Sequence, residues 1–293
     1  MAVTDWNTHL EYLRESRKRW LNLDYVEFLV QKVWCIDSPV RVADFACGLG
    51  YLGSILMPLL PKGSSYTGFD NADTLLEEAK QIFQNADYEA NFVRCDLVKE
   101  DINSKYDLVI CQAFLMHLPE PDKMVQKMID TAVDGGLIVC IDSNWNVCNA
   151  AMYIDGLDVD GNCNLGLLAK LWKKEKEVYG SDKCIGMKLP ATMQKLGLKN
   201  VSIRMNDCVR FINPYGDHDE YKKQLATFYA DGWGHEMGDE NEYVKLLCDR
   251  GVTEEEAHYQ YRCEKEMNDY VRVMGENLMA LTVPPMFISF GTK

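Results

Sequence analysis

Short apolar runs alternate with amphipathic segments along the first half of the chain. Five of these runs predict β-strands, at 40–45, 65–70, 91–96, 106–111 and 137–142. After the second run, apolar residues recur at helical spacing along one side of the next segment. Strands and helices that alternate in this way predict an α/β fold, with a parallel sheet covered by helices on both faces.

The second half of the chain is less regular. An amphipathic helix is predicted over 165–179 and a shorter one over 190–196, before a sixth strand near 201–205 that extends in pieces to residue 212. Capping and turn signals divide 217–280 into three helices, and a closing strand is predicted at 284–291. We therefore expect a seven-stranded, mostly parallel sheet with a helical insertion before its last strand.

These elements divide the chain into three parts. Residues 1–38 are expected to form an N-terminal helical cap of two helices, the second capped by Asp24. Residues 39–213 and 284–293 are expected to form the sheet and its helices. Residues 214–283 are the helical insertion, and the sequence leaves open whether it is a lid, a wall of the binding site or a dimer contact.

The first strand runs directly into a cluster of glycines, Val42-Ala-Asp-Phe-Ala-Cys-Gly-Leu-Gly50 and then Gly53. Glycine lets the backbone turn tightly and approach a ligand that a Cβ atom would exclude. An apolar pattern resumes at Ser54, so a helix is expected to begin at or just before Gly53. A strand, a glycine turn and a helix together are typical of nucleotide-like cofactor sites at the carboxyl end of a parallel sheet.

Two classes of cofactor are compatible with this loop. Gly48, Gly50 and Gly53 match the dinucleotide fingerprint, and Asp70 stands where a ribose-binding acid would follow. Asp44 argues against a dinucleotide, because a pyrophosphate would meet a buried carboxylate at the end of the strand. A ligand with a positively charged amino group suits Asp44 better, and S-adenosylmethionine has such a group and no phosphate. A nicotinamide-dependent oxidoreductase remains the alternative.

The glycine stretch resembles the first motif of class I S-adenosylmethionine-dependent methyltransferases, although Ala46 stands where that family usually has glycine. Segments 69–71, 94–97 and 111–119 resemble its later motifs in the same order, and Asp134-Gly-Gly136 before a strand is also typical of the family. The resemblance is strongest over 35–150. It implies a Rossmann-like fold, S-adenosylmethionine as methyl donor and S-adenosylhomocysteine as product.

The resemblance also implies roles for individual residues. Asp44 would hold the methionine end of the donor, Asp70 both ribose hydroxyls and Asp96 the adenine amino group. The other positions expected to contact the cofactor are Ala46, Cys47, Gly48, Gly50, Asn71, Leu97, Gln112, Ala113, Phe114, His117 and Tyr25. Each acid could instead cap the turn that follows it. Three neighbouring carboxylates would repel one another on a bare surface, however, so a ligand rich in hydrogen-bond donors explains them better.

Methyl transfer requires proximity and alignment, and it requires a base only when the acceptor carries a proton. His117 is the candidate base, with a hydrogen-bonded structural histidine as the alternative. Asp142, Asn144 and Trp145 follow the fifth strand and are expected to face the acceptor. Trp20 is a further candidate on that side, with core packing as its alternative.

The composition limits the kinds of molecule that the chain is expected to bind. The net charge of −14 argues against nucleic acids and anionic membranes. No apolar run reaches the length of a membrane span, and the N-terminus lacks a signal-peptide pattern. The eleven cysteines include no Cys-x-x-Cys pair, which favours reduced thiols in the cytoplasm.

The fourth strand lacks an Asn-Pro-Pro-Tyr motif, no Pro-Cys pair occurs, and no aspartate ends that strand to hold a metal. These features favour a small-molecule acceptor, methylated on oxygen or nitrogen, and no metal. A non-catalytic subunit that binds the donor remains an alternative, and the chain could be a monomer or a homodimer.

Overall fold

The computed structural model describes Trp6, Leu10, Leu13, Arg14 and residues 20–158, 164–284 and 286–293. The chain divides into two compact units. The first, here called the sheet unit, comprises Met1–Asn144, Ser181–Cys208 and Met286–Lys293. The second, here called the helical unit, comprises Trp145–Gly180 and Val209–Pro285.

The elements alternate over most of the sheet unit, as the apolar pattern predicts. The described strands are β1 (Arg41–Phe45), β2 (Ser65–Asp70), β3 (Glu89–Arg94), β4 (Tyr106–Gln112), β5 (Ala132–Ser143), β6 (Met152–Ile154), β7 (Lys199–Met205), β8 (Arg210–Ile212), β9 (Ala280–Thr282) and β10 (Met286–Thr292). The described α-helices are α1 (Leu23–Phe28), α2 (Tyr51–Leu56), α3 (Asp73–Phe83), α4 (Pro121–Thr131), α5 (Trp145–Ala150), α6 (Leu165–Tyr179), α7 (Leu189–Lys195), α8 (His218–Ala230), α9 (Glu240–Asp249) and α10 (Glu254–Met274). Shorter helical turns lie at Leu29–Val33, Met57–Leu59, Leu115–His117 and Gly275–Asn277.

Seven strands form one sheet in the order β3-β2-β1-β4-β5-β10-β7. β1 pairs in parallel with both β2 and β4, and β10 runs antiparallel to both of its neighbours. The predicted seven-stranded, mostly parallel sheet is therefore confirmed. The strand order reverses between β1 and β4, and ligands of such sheets bind outside the carboxyl ends of the strands at this point.

The central strands are buried on both faces of the sheet, and their successive side chains point to opposite faces. Ala43 and Phe45 belong to a core cluster that includes residues of α4 and α7. Val42 belongs to a second cluster, which includes residues of α1 and α2. Helices therefore cover both faces, which explains the continuous apolar runs in the central strands.

Near the N-terminus, the structure contradicts one prediction and leaves most residues of a second prediction undescribed. The predicted cap at Asp24 is wrong: α1 begins at Leu23, and the Asp24 carboxylate accepts a hydrogen bond from the Tyr25 amide within the first turn. Most of the first predicted helix lies outside the described residues.

The helical unit has its own apolar core. β6, β9 and β8 form a small antiparallel sheet, in which Ile154, Ala280 and Ile212 pack with α8 and α10. This sheet was not predicted, and its strand β8 is the segment that we expected to extend the sixth strand. Three residues per strand are too few to show an alternating pattern in the sequence.

The three helices expected between the last two strands of the main sheet are α8, α9 and α10. The capping box at the start of α10 is present, since the Thr253 hydroxyl accepts from the Glu256 amide. Residues 145–180, which we expected in the core, belong with these helices. The use of the insertion as a lid, a wall or a dimer contact stays a prediction.

Candidate active site

The carboxyl ends of four parallel strands lie along one edge of the sheet. β1 ends one residue after Asp44, β2 ends at Asp70, β4 at Gln112 and β5 one residue after Asp142. The strand order reverses between β1 and β4, and in sheets of this kind the ligand binds at such a point, within reach of side chains from several strands.

Asp44 is enclosed at the end of β1, with 2% of its surface exposed. The Tyr66 hydroxyl donates a hydrogen bond to Asp44 Oδ2 at 2.8 Å. Burial, and then the nearby Asp44 carboxylate, raise the pKa of the Tyr66 phenol well above its usual value, so the phenol stays a donor at neutral pH. A carboxylate held in this way can also bind a positively charged ligand group.

The loop after β1 turns through left-handed backbone conformations. Ala46, Gly48 and Gly50 have φ angles of 57°, 54° and 70°. A Cβ atom at Gly48 would meet nothing within 4 Å, so open space adjoins the loop there. Alanine is strained at a left-handed position, which gives a physical reason for the glycine that the family usually has at position 46.

Asp70 joins the glycine loop to the turn after β2. Its Oδ2 atom accepts from the Gly48 amide at 2.8 Å, and its Oδ1 atom accepts from the Ala72 amide at 2.9 Å. The capping role that we considered as an alternative is therefore present. A carboxylate can accept about four hydrogen bonds, so these two bonds are compatible with ligand hydroxyl donors as well.

Asp96 makes its hydrogen bonds within the turn that follows β3. It accepts from the Val98 amide at 3.1 Å and from Lys99 Nζ at 2.7 Å, and the Lys99 bond is the main reason that the pKa of its carboxyl is lowered. Leu97 is buried in the core beside it, and Asn71 is exposed after β2. Recognition of adenine by Asp96 and Leu97 stays a prediction.

Cys47 is packed beneath the loop. Burial, with Asp44 and Asp70 nearby, raises the pKa of its thiol well above the usual value, so the thiol is neutral. A Cβ atom at Gly68 would lie 2.7 Å from Cys47 Sγ, which shows how closely β2 approaches it. The side chain therefore supports the loop by packing.

The end of β4 combines a buried amide with an unusual backbone. Gln112 is 8% exposed, and its Nε2 atom is enclosed with no hydrogen-bond partner among the described residues. Ala113 has a φ of 50°, and its amide donates to the Ile141 carbonyl at 2.8 Å. Phe114 then packs against the core that α4 covers.

His117 ends the short helical turn Leu115–His117 and is half-buried. The Trp6 ring meets the His117 ring edge to face, with centroids 5.3 Å apart. Asp142, fully buried at the end of β5, supports the turn because its Oδ2 atom accepts from the Leu115 amide at 3.1 Å. Met116, the next residue of this turn, is also held in place, because its carbonyl accepts a hydrogen bond from the Asp182 amide.

Two further residues expected on the acceptor side follow β5 directly. Asn144 is buried just after β5. Trp145 starts α5 in the helical unit, where its ring lies 6.0 Å from that of Trp172, an arrangement that favours the packing role.

Trp20 and Tyr25 lie near the end of β7. The Trp20 carbonyl accepts from Asn206 Nδ2 at 2.6 Å. Tyr25 stacks on Phe28, and the pKa of its phenol is raised by burial and, secondarily, by Asp207. Both residues also pack against the core cluster that includes Leu52 and Leu56 of α2.

Sequence reasoning missed the residues that lie over the loop. Leu13 forms a small apolar cluster with Leu49 of the glycine loop and with Ala72 and Leu75 after β2, against which Trp6 and Leu10 also pack. Arg14 adds an ion pair to Glu78, with Nη2 and Oε1 2.5 Å apart. The spacing of Trp6, Leu10 and Leu13 was the available signal, since it places them on one side of a helix.

Three further observations concern the described residues outside this site. A cavity of about 300 Å³ lies at the opposite edge of the sheet, where its lining includes Trp34, Asp107 and Asp134 but none of the predicted site residues. The described ranges contain no group of three or more His, Cys, Asp or Glu residues arranged to hold a metal ion. Nor does any helix in them combine the length and apolar character needed to cross a membrane.

The order of strands, the left-handed glycine loop and the acids at the strand ends define a Rossmann-like methyltransferase fold of class I. The family described as "Methyltransferase domain" matches residues 36–266. The chain belongs to this family.

Individual relatives are distant. A ubiquinone biosynthesis O-methyltransferase of Shewanella pealeana is 25% identical over 149 residues, which cover 50% of this chain and 60% of that protein. A malonyl-[acyl-carrier protein] O-methyltransferase of Acetivibrio thermocellus is 30% identical over 105 residues, covering 35% of this chain and 36% of that protein. The chain thus aligns with less than two-thirds of the length of either relative.

Solved structures share the fold. Phosphoethanolamine N-methyltransferase 2 of Haemonchus contortus, in complex with S-adenosylmethionine, superimposes with a TM-score of 0.52 at 10% identity, covering 98% of this chain and 56% of that one. The YcgJ protein of Bacillus subtilis gives a TM-score of 0.50 at 13% identity, covering 92% of this chain and 98% of that one. At these identities the likeness concerns the fold alone.

Proposed function

We propose that the chain is an S-adenosylmethionine-dependent methyltransferase that transfers a methyl group to an oxygen or nitrogen atom of a small molecule. The observation that carries this proposal is the pair Asp44 and Asp70, 2% and 8% exposed, on either side of the left-handed glycine loop. Two enclosed carboxylates fit the ammonium and the ribose hydroxyls of this donor. Asp44 would also repel the pyrophosphate of a dinucleotide, whereas Asp70 would suit the ribose of either ligand.

The residues around the loop fit the donor in two further respects. Gly48 borders open space, so a ligand can approach the backbone there. Gln112 has an enclosed Nε2 atom that lacks a partner among the described residues, which is a donor for a polar ligand group. Ala46, Cys47 and Gly50 would shape the loop beneath the ligand, and Asp44 and Asp70 would bind it.

Bound S-adenosylmethionine supplies an electrophilic methyl group on a sulfonium, for an in-line displacement. The chain's own contribution is to hold the donor, align the acceptor and exclude water, which together lower the barrier by up to about 7–11 kcal/mol in well-oriented systems. His117 takes a proton from the acceptor where the acceptor carries one. Asp142 keeps the turn that bears His117 in place through the Leu115 amide.

The acceptor is a small molecule in this proposal, and the curated relatives, both O-methyltransferases by name, favour oxygen as the accepting atom. A cytoplasmic location is supported by the described cysteines, which are free thiols. The protein acts as a monomer or a homodimer, without nucleic acid.

The test is a calorimetric titration with S-adenosylhomocysteine and, separately, with NAD. The wild type should bind S-adenosylhomocysteine, and Asp70→Asn should weaken this binding about tenfold to hundredfold, because ribose hydroxyls lose a charged acceptor. Asp73→Asn is the matched control, since Asp73 is an exposed residue whose ion pair with Arg94 lies at the surface.

Unchanged affinity in a folded Asp70→Asn variant would remove Asp70 from the site. Tight binding of NAD without S-adenosylhomocysteine would establish the oxidoreductase alternative. Binding of S-adenosylmethionine without turnover on any acceptor, restored by a second chain, would establish the non-catalytic subunit.

A further inference from the structure

The peptide bond between Met116 and His117 is held by hydrogen bonds on both of its sides. The Met116 carbonyl accepts from the Asp182 amide at 2.9 Å, and the His117 amide donates to the Phe114 carbonyl at 3.0 Å. A peptide unit is planar, so two such bonds fix its orientation and the position of the Cα atom that follows. The placement of His117 therefore depends on Asp182, which is distant from it in the sequence.

Asp182 belongs to segment 181–188, which begins where the chain re-enters the sheet unit. Its carboxylate accepts from Lys188 Nζ at 2.9 and 2.7 Å, with one bond to each oxygen, and its Oδ1 atom also accepts from the Cys184 amide at 3.1 Å. The Asp182 side chain is 7% exposed, whereas that of Lys188 is 54% exposed. Lys188 therefore reaches from the surface to a carboxylate that the fold encloses.

The end of β5 connects this segment to the same turn. The Gly186 amide donates to the Ser143 carbonyl at 3.0 Å, and a Cβ atom at Gly186 would lie 2.3 Å from the Asp142 carbonyl oxygen. The Asp142 side chain in turn accepts from the Leu115 amide. The turn, the strand end and segment 181–188 are thus bonded pairwise, so none of the three can move without breaking a hydrogen bond to another.

A buried charged pair contributes little to the net stability of a fold. Taking a carboxylate out of water costs free energy, and the attraction of its partner offsets that cost only in good geometry. Apolar residues already hold segment 181–188, since Ile185 and Leu189 are 4% and 1% exposed in the core that includes Leu115. Hydrogen bonds to both carboxylate oxygens do fix a direction, because hydrogen bonds are directional. The pair is therefore better suited to orient the backbone than to stabilise it.

We infer that Asp182 and Lys188 are positioning residues that set the orientation of the His117 ring. They act through the Met116 carbonyl. A base must lie within hydrogen-bond reach of the proton that it takes, and a displacement of about 1 Å can cost roughly a hundredfold in rate. The role of His117 as a base rests on the proposed function, whereas its orientation by the pair does not.

Nuclear magnetic resonance of the full chain with ¹³C-labelled histidine tests the inference. The Trp6 ring meets the His117 ring edge to face, with centroids 5.3 Å apart, so the Trp6 ring current displaces the His117 signal. Trp6→Leu removes this displacement and thereby identifies the signal. Lys188→Met should move the signal, because the His117 ring changes its position relative to Trp6. Lys188→Arg keeps the cation and should retain the position of the wild-type signal.

Asp182→Asn is the second variant, because it keeps the backbone amide that donates to Met116 and removes the charge that Lys188 binds. It should move the His117 signal as well, and the double variant with Lys188→Met should move it no further than the larger of the two single changes. In each single variant the His117 amide should exchange with solvent about tenfold or more faster, because a charged hydrogen bond no longer opposes local opening of the turn.

Lys265→Met is the matched control. Lys265 also pairs with an aspartate, Asp269, and its side chain is 49% exposed, but it lies on α10 of the helical unit. This variant should leave the His117 signal and the exchange of its amide unchanged.

An unchanged His117 signal in folded Lys188→Met and Asp182→Asn variants would overturn the inference. A lower unfolding temperature together with that unchanged signal would mean that the pair only stabilises the fold. In both cases the proposed function would stand. Failure of the wild type to bind S-adenosylhomocysteine would instead remove the proposed function, and the resonance measurement would still decide whether the pair orients His117.

Discussion

At the scale of single residues, the glycine of α2 explains how Asp44 is held. Gly53 packs so closely on the sheet that a Cβ atom there would lie 2.4 Å from the Tyr66 ring. The Tyr66 hydroxyl in turn donates to Asp44. Gly53 completes the dinucleotide pattern in the sequence, but its position shows that its role is to let α2 reach Tyr66.

Gly53→Ala should therefore destabilise the protein by about 1–3 kcal/mol, because the added methyl group overpacks the contact with Tyr66. The gain from alanine in a helix, about 0.5–1 kcal/mol, opposes this loss and is smaller. Denaturant unfolding followed by circular dichroism measures the difference.

Gly166→Ala is the matched control for that experiment. Gly166 lies in α6, where the nearest atom to an added Cβ is Asn164 Oδ1 at an ordinary 3.4 Å. This variant should be as stable as the wild type or slightly more so. Equal stability of the Gly53 and Gly166 variants would contradict the packing account.

At the scale of elements, three apolar side chains near the N-terminus contact the loops that follow three strands: Trp6, Leu10 and Leu13. Their contacts reach Leu49 after β1, Ala72 after β2 and His117 after β4. These loops belong to the carboxyl edge, where the proposed donor binds. We therefore predict that the side chains of Trp6, Leu10 and Leu13 cover the bound donor and slow its dissociation.

Leu13→Ala should speed dissociation of S-adenosylhomocysteine about tenfold or more, because Leu13 is 4% exposed and its truncation removes buried contacts that hold the three side chains in place. Stopped-flow displacement measures the rate. Leu23→Ala is the control, since Leu23 is 61% exposed on α1 and should leave the rate unchanged. Identical rates for both variants would show that the three side chains do not retain the ligand.

At the scale of the whole molecule, the negative net charge disfavours binding to nucleic acids. The net charge of −14 comes from 45 acidic and 31 basic residues. Long-range repulsion of a phosphate backbone follows from this excess, and it is strongest at low ionic strength. A small acceptor is unaffected by that barrier.

An electrophoretic shift assay with a short DNA or RNA duplex at about 50 mM salt should therefore show no complex at micromolar protein, because low salt strengthens charge effects. Bovine serum albumin, another acidic protein, is a suitable negative reference. A shift that disappears at higher salt would reveal a basic binding surface and would contradict the assignment to small molecules.

Much of the fold was predictable because it depends on local patterns. The apolar runs of β1, β2 and β4 gave the strands within a residue or two, since these strands are buried on both faces. The helix over 165–179 matched α6 at both ends, since Asn164 caps its start and Gly180, with a φ of 77°, ends it. The cap at Asp24 failed because its carboxylate bonds to the neighbouring amide instead.

The sequence predicted which acids belong to the proposed site, but it did not predict the contacts that each acid makes. The sequence predicts the same kind of position for three acids, because each ends or follows a predicted strand: Asp44, Asp70 and Asp96. In the folded chain, Asp44 binds a tyrosine hydroxyl and Asp70 joins two loops, whereas Asp96 pairs with Lys99 in its own turn. These differences arise from residues far away in the chain, which no local pattern contains.

The sequence by itself determined the class of fold, most of its elements in their order along the chain, and the position of the glycine loop, because periodicity and turn chemistry are local properties. Only the tertiary structure decided which side chains meet: Tyr66 with Asp44, Trp6 with His117, and Gln112 on the face of Asp44. Such meetings depend on strand register and helix packing, which follow from the balance of contacts over the whole core.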